Sequence, residues 1–482
     1  MARATAGQHR RARASHRVLT VAVSAAATIA LGVGYVVADA YDVLPGPLTV
    51  RGVAAPQVPK AGRSLSSGGL VADADLSIPV DADEANALID AFAASSGVGA
   101  DYSVVVADAD GTVAAQRNAD AAREPASTLK TLTSLAATAT LDMASTLDTS
   151  TYLVQNADGS ATVVLSGGGD MLLGAGDGDP DHVNGRAGLG TLAERTAEAL
   201  AQRGITAVTL LYDDSLFGDS RYPAGIEENN PGNLYYTGIA SMAVDGGRRW
   251  ADPPDDPDTY TAYPELSTQP AADAAATFAA RLAERGITVA GEPAAGATPA
   301  GMSPIATVSS AQLSEIMAFM LRHSDNTLAE EFGRLVALAT GHDNSPAGAT
   351  QAVTAALDDL GVDTAALSMA DCSGLAPGSR LTASILVEVQ ALALGGDVGA
   401  GMLEGMSVPG LTGTAAGRLA DDDAAGLLRV KTGTLDAVTA MTGNVSRRDG
   451  GVLAFAIIVN DPENAWEAAR AVDVFIAGLA GL

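Results

Sequence analysis

Pro125-Ala126-Ser127-Thr128-Leu129-Lys130 is the stretch on which the reading of this 482-residue chain turns. Residues 127–139 have helical composition after Pro125, which puts Ser127 at a helix N-terminus. Positions three apart share a helix face, so the Lys130 amine reaches the Ser127 hydroxyl one turn away, and a serine nucleophile acquires its own base. Serine occurs at that offset from a given lysine by chance roughly once in fifteen, so the pair alone is weak. Composition gives it weight. Of 28 basic residues only Lys60, Lys130 and Lys431 are lysine. A buried amine can shed its proton near neutral pH and a guanidinium cannot, so lysine kept in an arginine-rich chain marks a place where that property counts.

Working outward, Lys431 lies in Val430-Lys-Thr-Gly-Thr434, within a strand expected over residues 427–434. A strand edge beside a serine nucleophile can pair with an extended peptide, and its N–H groups can face a developing oxyanion. Gly433 is expected to let substrate backbone come close. Ser324-Asp325-Asn326 falls between two expected helices. The first is marked by Leu313, Ile316, Met317, Met320 and Leu321 at one-face spacing, and the second covers residues 326–339. Ser324 can relay a proton between Lys130 and a leaving amine, and Asn326 can hold a substrate amide. Standing alone, the triplet would read as a helix cap.

The remaining sequence supplies the setting. Five arginines precede an uncharged stretch of 21 residues, 18–38, which is long enough to span a bilayer with the basic flank on the cytoplasmic side. Ala38-Asp39-Ala40 offers a cleavage site, although the apolar stretch exceeds an ordinary signal-peptide core. Residues 41–80 are rich in Pro, Gly and Ser and read as a linker. An Asp-Gly pair between residues 102–107 and 112–116 predicts a hairpin. Strands are expected at 441–446 and 452–459, and a closing helix at 463–479. In the middle, two helical runs end in Arg-Gly-Ile-Thr, at 203–206 and 285–288, with Gly in the helix-stopping place. The formal charge of −29 excludes nucleic acid as a partner, because phosphate repels such a surface. The single cysteine, Cys372, allows no internal disulfide.

Ser-x-x-Lys, Ser-Asp-Asn and Lys-Thr-Gly, in this order, are the set carried by β-lactamases and penicillin-binding proteins. With them come Leu165-Ser-Gly-Gly-Gly-Asp170, Asp213-Asp-Ser-Leu-Phe217, Asp371-Cys-Ser-Gly-Leu375 with Arg380-Leu-Thr382, and Gly410-Leu-Thr-Gly-Thr414 with Arg418. On these runs the chain, from about residue 85 to 482, resembles the class C low-molecular-mass penicillin-binding proteins, the D-Ala-D-Ala carboxypeptidase/endopeptidases. The resemblance implies an α+β fold: a serine β-lactamase/transpeptidase-like domain, with an antiparallel sheet flanked by helices, formed by residues 81–146 and 301–482. Residues 147–300 would be an inserted α/β accessory domain, and residues 1–40 an anchor or signal.

The same resemblance implies roles. Ser127 would be acylated, Lys130 would be its base, and Ser324 and Asn326 the second element. Lys431 would bind a substrate carboxylate, assisted by Thr432 and Thr434, with the N–H groups of Ser127 and Thr434 as oxyanion hole. Asp219 and Leu375 fall where relatives line a pocket for the peptide side chain. The implied partners are peptidoglycan stem peptides and β-lactams, the membrane being met only through the N-terminal segment, and no cofactor or metal is implied. The run Asp177-Gly-Asp-Pro-Asp181 imitates a calcium loop, but His182 replaces the required glycine. Two departures stand out: Cys372 occupies an expected glycine position, with Pro377 following, and only a short Pro/Asp-rich stretch lies between Gly247 and Ala271, where relatives often carry a further small domain. A β-lactamase would need a positioned glutamate and water, for which no clear candidate exists, and a non-catalytic wall-binding scaffold would not need complete motifs.

Overall fold

The computed structural model describes residues 22–38, 75–260 and 262–482. Residues 22–38 are a helix within a unit of their own, Met1–Val71. No helix among the described residues is long and apolar enough to cross a membrane. The arginine-rich flank, the first four residues of the expected span, and the linker as far as residue 74 lie outside the described residues.

The second unit begins where Val80 buries itself and its N–H donates to Asp108 Oδ1 at 2.6 Å. The helix Ala82–Ala93 follows, capped by the Asp81 carboxylate on the N–H groups of Asp83 and Glu84. The hairpin Tyr102–Asp108 and Val113–Arg117 forms as the Asp-Gly pair predicts. It then joins strands from the other end of the chain: Tyr102–Asp108 pairs antiparallel with Val452–Asn460, which pairs with Val438–Ser446, which pairs with Leu428–Leu435. The result is a five-stranded antiparallel sheet with Leu428–Leu435 at one edge.

This sheet is covered on both faces, and the strand sequences show why. Leu453, Phe455, Ile457 and Val459 enter one apolar cluster, with the helices Ala82–Ala93 and Ala465–Leu479. Ala454, Ala456 and Ile458 enter another, with Leu132, Leu135 and Leu386. Alternate side chains point to opposite faces, so a strand apolar at every position is one buried from both sides. Each large side chain so buried contributes about 1.5–3 kcal/mol relative to exposure.

A second sheet interrupts the first. Its core is Ala306–Gln312, Thr146–Gln155, Ala161–Gly167 and Ala207–Asp213, in that spatial order. The last two are parallel, and Thr288–Val289 pairs parallel beyond them. Both Arg-Gly-Ile-Thr runs act as expected: Gly204 at φ 69° and Gly286 at φ 82° end helices and turn the chain into neighbouring strands. The strand that closes this sheet against Thr146–Gln155 is Ala306–Gln312, which lies past the expected boundary at residue 300. The two sheets share a continuous core, with Val105 of the first and Leu165 of the second in the same cluster.

Candidate active site

The nucleophile turn is tighter than a helix start. Residues Ala126–Leu129 form a 3-10 turn and the α-helix proper begins at Lys130. Ala126, fully buried, is held at φ 48°, a left-handed conformation that costs a non-glycine residue of order 1 kcal/mol. That kink leaves Ser127 partly exposed while its neighbours Ala126 and Thr128 stay buried. Gly374, at φ 81°, permits the arrangement, because a Cβ there would lie 2.0 Å from the Ala126 carbonyl oxygen.

Lys130 is fully buried one turn on. Its amine donates to Ser127 Oγ at 2.9 Å, to Asn326 Oδ1 at 2.7 Å and to the Ser373 carbonyl at 2.9 Å. Burial drives its pKa down to about 7, against the opposing pull of the Asp371 and Asp325 carboxylates. The amine is therefore shifted toward the neutral form that a base needs, held by three acceptors and aimed at one hydroxyl.

The second element is both a cap and a site. Ser324 ends the helix Leu313–His323 in the left-handed conformation at φ 54°, and Asp325 caps Asn326–Thr340 through the Leu328 N–H at 2.9 Å. Between them the corner turns Ser324 and Asn326 toward Lys130 and Lys431. Arg248 pins it from behind, paired with Asp325 at 2.5 Å with both side chains almost buried. The Asn326 amide donates to the Tyr235 carbonyl at 2.9 Å, which fixes its oxygen toward Lys130.

Lys431 completes the cluster, fully buried, donating to Ser324 Oγ at 2.9 Å and to the Thr432 carbonyl at 2.7 Å. Burial, and then the neighbouring Lys130, hold its pKa well below the ordinary lysine value. Its strand is the sheet edge, and Val430 uses its outward N–H and carbonyl on Ser407, at 2.8 and 3.0 Å. N–H groups two residues apart point the same way, so those of Thr432 and Thr434 face the open edge. Thr432 and Thr434 line a cleft of about 520 Å³ together with Ser127, Ser324, Asn326 and Leu375.

Gly433 has a packing reason as well: a Cβ on it would point at the nucleophile turn, 2.7 Å from the Pro125 carbonyl and 3.2 Å from the Thr128 nitrogen. Asp219 is not brought into the cleft; it is exposed, on a turn whose flanking carbonyls, Phe217 and Ser220, are held by Arg334. Leu375 does line the cleft, its carbonyl accepting from Asn229. Glu228 and Asn229 are also on the cleft wall; they reach it from the single 3-10 turn Ile226–Asn229, too short to show a periodicity in sequence. Cys372 faces away, fully buried, its sulfur filling the space beside Gly333, where a Cβ would sit 2.2 Å from Sγ. At this position, where the resemblance leads one to expect glycine, the sulfur is thus accommodated by a glycine on the facing helix. Elsewhere, His182, Asp256 and Asp258 bring ligand atoms within 4.8 Å of one another, a grouping that their separation in sequence concealed.

With this geometry in hand, similarity to known proteins is specific. The family model for D-Ala-D-Ala carboxypeptidase 3 (S13) matches residues 85–252 and 257–479. A carboxypeptidase of Mycobacterium tuberculosis is 33% identical over 390 residues, covering 76% of this chain and 80% of that protein. Carboxypeptidase DacB of Mycolicibacterium smegmatis is 34% identical over 367 residues, covering 74% and 75%. In fold, the chain is similar to penicillin binding protein 4 of Haemophilus influenzae, with a TM-score of 0.66 at 18% identity over 82% of this chain and 99% of the other.

Proposed function

The chain belongs to the D-Ala-D-Ala carboxypeptidase 3 (S13) family, a serine-type D-alanyl-D-alanine carboxypeptidase of the penicillin-binding class, and we propose how its residues divide the work. Neutral Lys130 takes the Ser127 proton as Oγ attacks the carbonyl of a terminal D-Ala-D-Ala bond. The N–H groups of Ser127 and Thr434 receive the oxyanion, where one such donor is worth about 10²–10³ in rate. Ser324, held by Lys431, relays to the departing amine the proton that Lys130 took from Ser127, so that Lys130 is neutral again and D-alanine leaves an ester on Ser127. Water, deprotonated by the same base, then cleaves the ester and restores the hydroxyl. Lys431, with Thr432 and Thr434, holds the terminal carboxylate, and Leu375 contacts the peptide on the acyl side. β-Lactams enter as the same bond inside a ring, whose leaving group stays attached and blocks the water.

The observation that carries this reading is the contact of a fully buried Lys130 amine with Ser127 Oγ at 2.9 Å. Intact mass of the exported portion after penicillin should show one persistent adduct, lost in Ser127→Ala; rapid return to the unmodified mass would instead indicate a β-lactamase. The enzyme acts outside the cytoplasm, and its N-terminal segment holds it to the membrane. The five arginines ahead of residues 18–38 support that topology. Removing residues 1–40 should abolish export in cells, and recovery of the full chain entirely in the soluble external fraction would refute the anchor in favour of a cleaved signal.

A further inference from the structure

We propose that Arg248 is a positioning residue for the acyl-transfer step: by masking the charge of Asp325 behind Ser324 and Asn326, it leaves Lys130 free to act as a base. The inference rests on the reading above, in which Lys130 takes the Ser127 proton.

The problem that Arg248 answers is built into the second motif. A helix has to start at Asn326, and the Asp325 carboxylate caps it through the Leu328 N–H at 2.9 Å. That carboxylate is only 10% exposed, so water screens its charge poorly. A bare anion there would hold Lys130 in its protonated form. Two carboxylates, Asp371 and Asp325, oppose the loss of the Lys130 proton, while Lys431 on the edge strand acts the other way, as one positive charge on another. The Asp371 charge is spread over the N–H groups of Gly374, Leu375 and Ala376 and the Ser373 hydroxyl. Glu330, next to it on the helix Asn326–Thr340, bonds the Cys372 N–H at 3.0 Å. Asp325 is treated differently: it meets a guanidinium.

The setting of Arg248 fits a charge held in place. Its side chain is 6% exposed. Nη2 donates to Asp325 Oδ2 and to the Tyr260 hydroxyl, each at 2.5 Å, and Nη1 donates to Asp245 Oδ1 at 3.1 Å. The guanidinium also lies over the Tyr260 ring, 4.4 Å from its centroid, and that ring stacks on His323 at 4.2 Å. Gly246, at φ 62°, leaves room for this approach, since a Cβ there would lie 2.6 Å from Nη1. Asp245 does not absorb the whole charge of Arg248, because the Asn184 amide and the Trp250 indole donate to it as well, at 2.6 and 2.5 Å. The other titratable groups facing this corner are silent. Burial, first of all, lowers the pKa of His323 and raises those of Tyr260, Tyr263 and Glu331, so none of the four supplies charge near pH 7. Arginine suits the task because its charge does not titrate, and its planar fork reaches several partners at once. The chain thus sets a permanent cation beside Asp325 and a titratable one beside Ser127.

The test is the pH profile of penicillin acylation of the full chain, followed by stopped flow from pH 5 to 9. Arg248→Gln should move the acid limb up by at least about half a pH unit, whatever happens to the plateau, as expected when a carboxylate near an amine is unmasked. Asp325→Asn, which can still cap the helix, should move the limb down. Arg248→Gln combined with Asp325→Asn should bring it back to within about 0.3 unit of wild type, the mark of two charges acting on one group. Arg248→Lys keeps the charge and should leave the limb in place even where the plateau falls. A lowered plateau with an unmoved limb in Arg248→Gln would make Arg248 a purely structural residue and overturn the inference, with Lys130 still the base. An unmoved limb in Asp325→Asn would overturn it as well, should Arg248→Gln fail to fold. A wild-type profile without an acid limb would overturn the assignment of Lys130 itself, and the inference with it.

Discussion

Lys130 shows how a single side chain carries chemistry that its charge does not explain. Arginine at this position would keep the charge and nothing else, because a guanidinium stays protonated where a desolvated amine does not. Lys130→Arg should therefore lower penicillin acylation by about 10²–10⁴, the usual range for a general base; labelling at the normal rate would remove Lys130 from that role. The pH dependence follows from the same group. With a pKa near 7, the wild-type acylation rate should fall about tenfold per unit as pH drops below that value and level off above it. A stopped-flow profile that stays flat from pH 5 to 8 would contradict the assignment. Lys431 lies beside Lys130 and is also buried, so charging both amines at once is disfavoured.

At the scale of elements, the site is made by close approach of backbones, and glycines mark the contacts. Gly433 lets the edge strand touch the nucleophile turn, and Gly374 lets the loop after Asp371 touch Ala126. That loop is itself tightly wound: the buried Asp371 carboxylate accepts from the N–H groups of Gly374, Leu375 and Ala376 and from the Ser373 hydroxyl. It thereby aims the Ser373 carbonyl at Lys130. Gly433→Ala would press a methyl on the Pro125 carbonyl at 2.7 Å, and backbone on both sides leaves no flexible atom to yield. We expect far-ultraviolet circular dichroism to be unchanged and acylation to fall at least tenfold, since an error of about 1 Å in placing a nucleophile costs on the order of 10² in rate. An unaffected rate would show that the strand and the turn are less rigidly joined than their packing suggests.

Over the whole molecule, several carboxyl groups are buried outside the catalytic cluster. Glu330 and Asp170 have pKa values raised to about 7, chiefly by burial, and Glu331 is held well above the ordinary carboxyl range by burial and then by Asp170. One oxygen of each makes no hydrogen bond. A group whose folded pKa is raised binds more protons folded than unfolded. Its stabilisation is therefore complete below the unfolded carboxyl range near pH 4 and is lost as pH rises toward the folded value. Lys130 acts in a different window: its folded pKa lies below the unfolded one, so its penalty shrinks as pH rises from about 7 to 10.5. Glu331→Gln removes one carboxyl without changing its shape. Denaturant unfolding should find the variant within about 1 kcal/mol of wild type at pH 5 and progressively favoured toward pH 8, by up to about 1.4 kcal/mol per unit. A constant difference across that range would mean that Glu331 does not titrate on unfolding.

The sequence by itself determined the chemistry and the main scaffold. The scarcity of lysine singled out Lys130 and Lys431, and the local patterns that predict hairpin, helices and terminal strands are short-range properties of the chain. Tertiary structure alone decided what lies opposite what. Ser324 comes to Lys431 from 107 positions away, and Asn326 to Lys130 from 196. No local pattern encodes such distances. The same limit hides the contact of Gly433 with the nucleophile turn, and it keeps the place that the resemblance implies for Asp219 from carrying over to the cleft, since Arg334 holds the surrounding loop through the Phe217 and Ser220 carbonyls. It also explains why the strand Ala306–Gln312 belongs with the inserted sheet, since strand pairing is chosen by the partner edge and not by the residues of one strand.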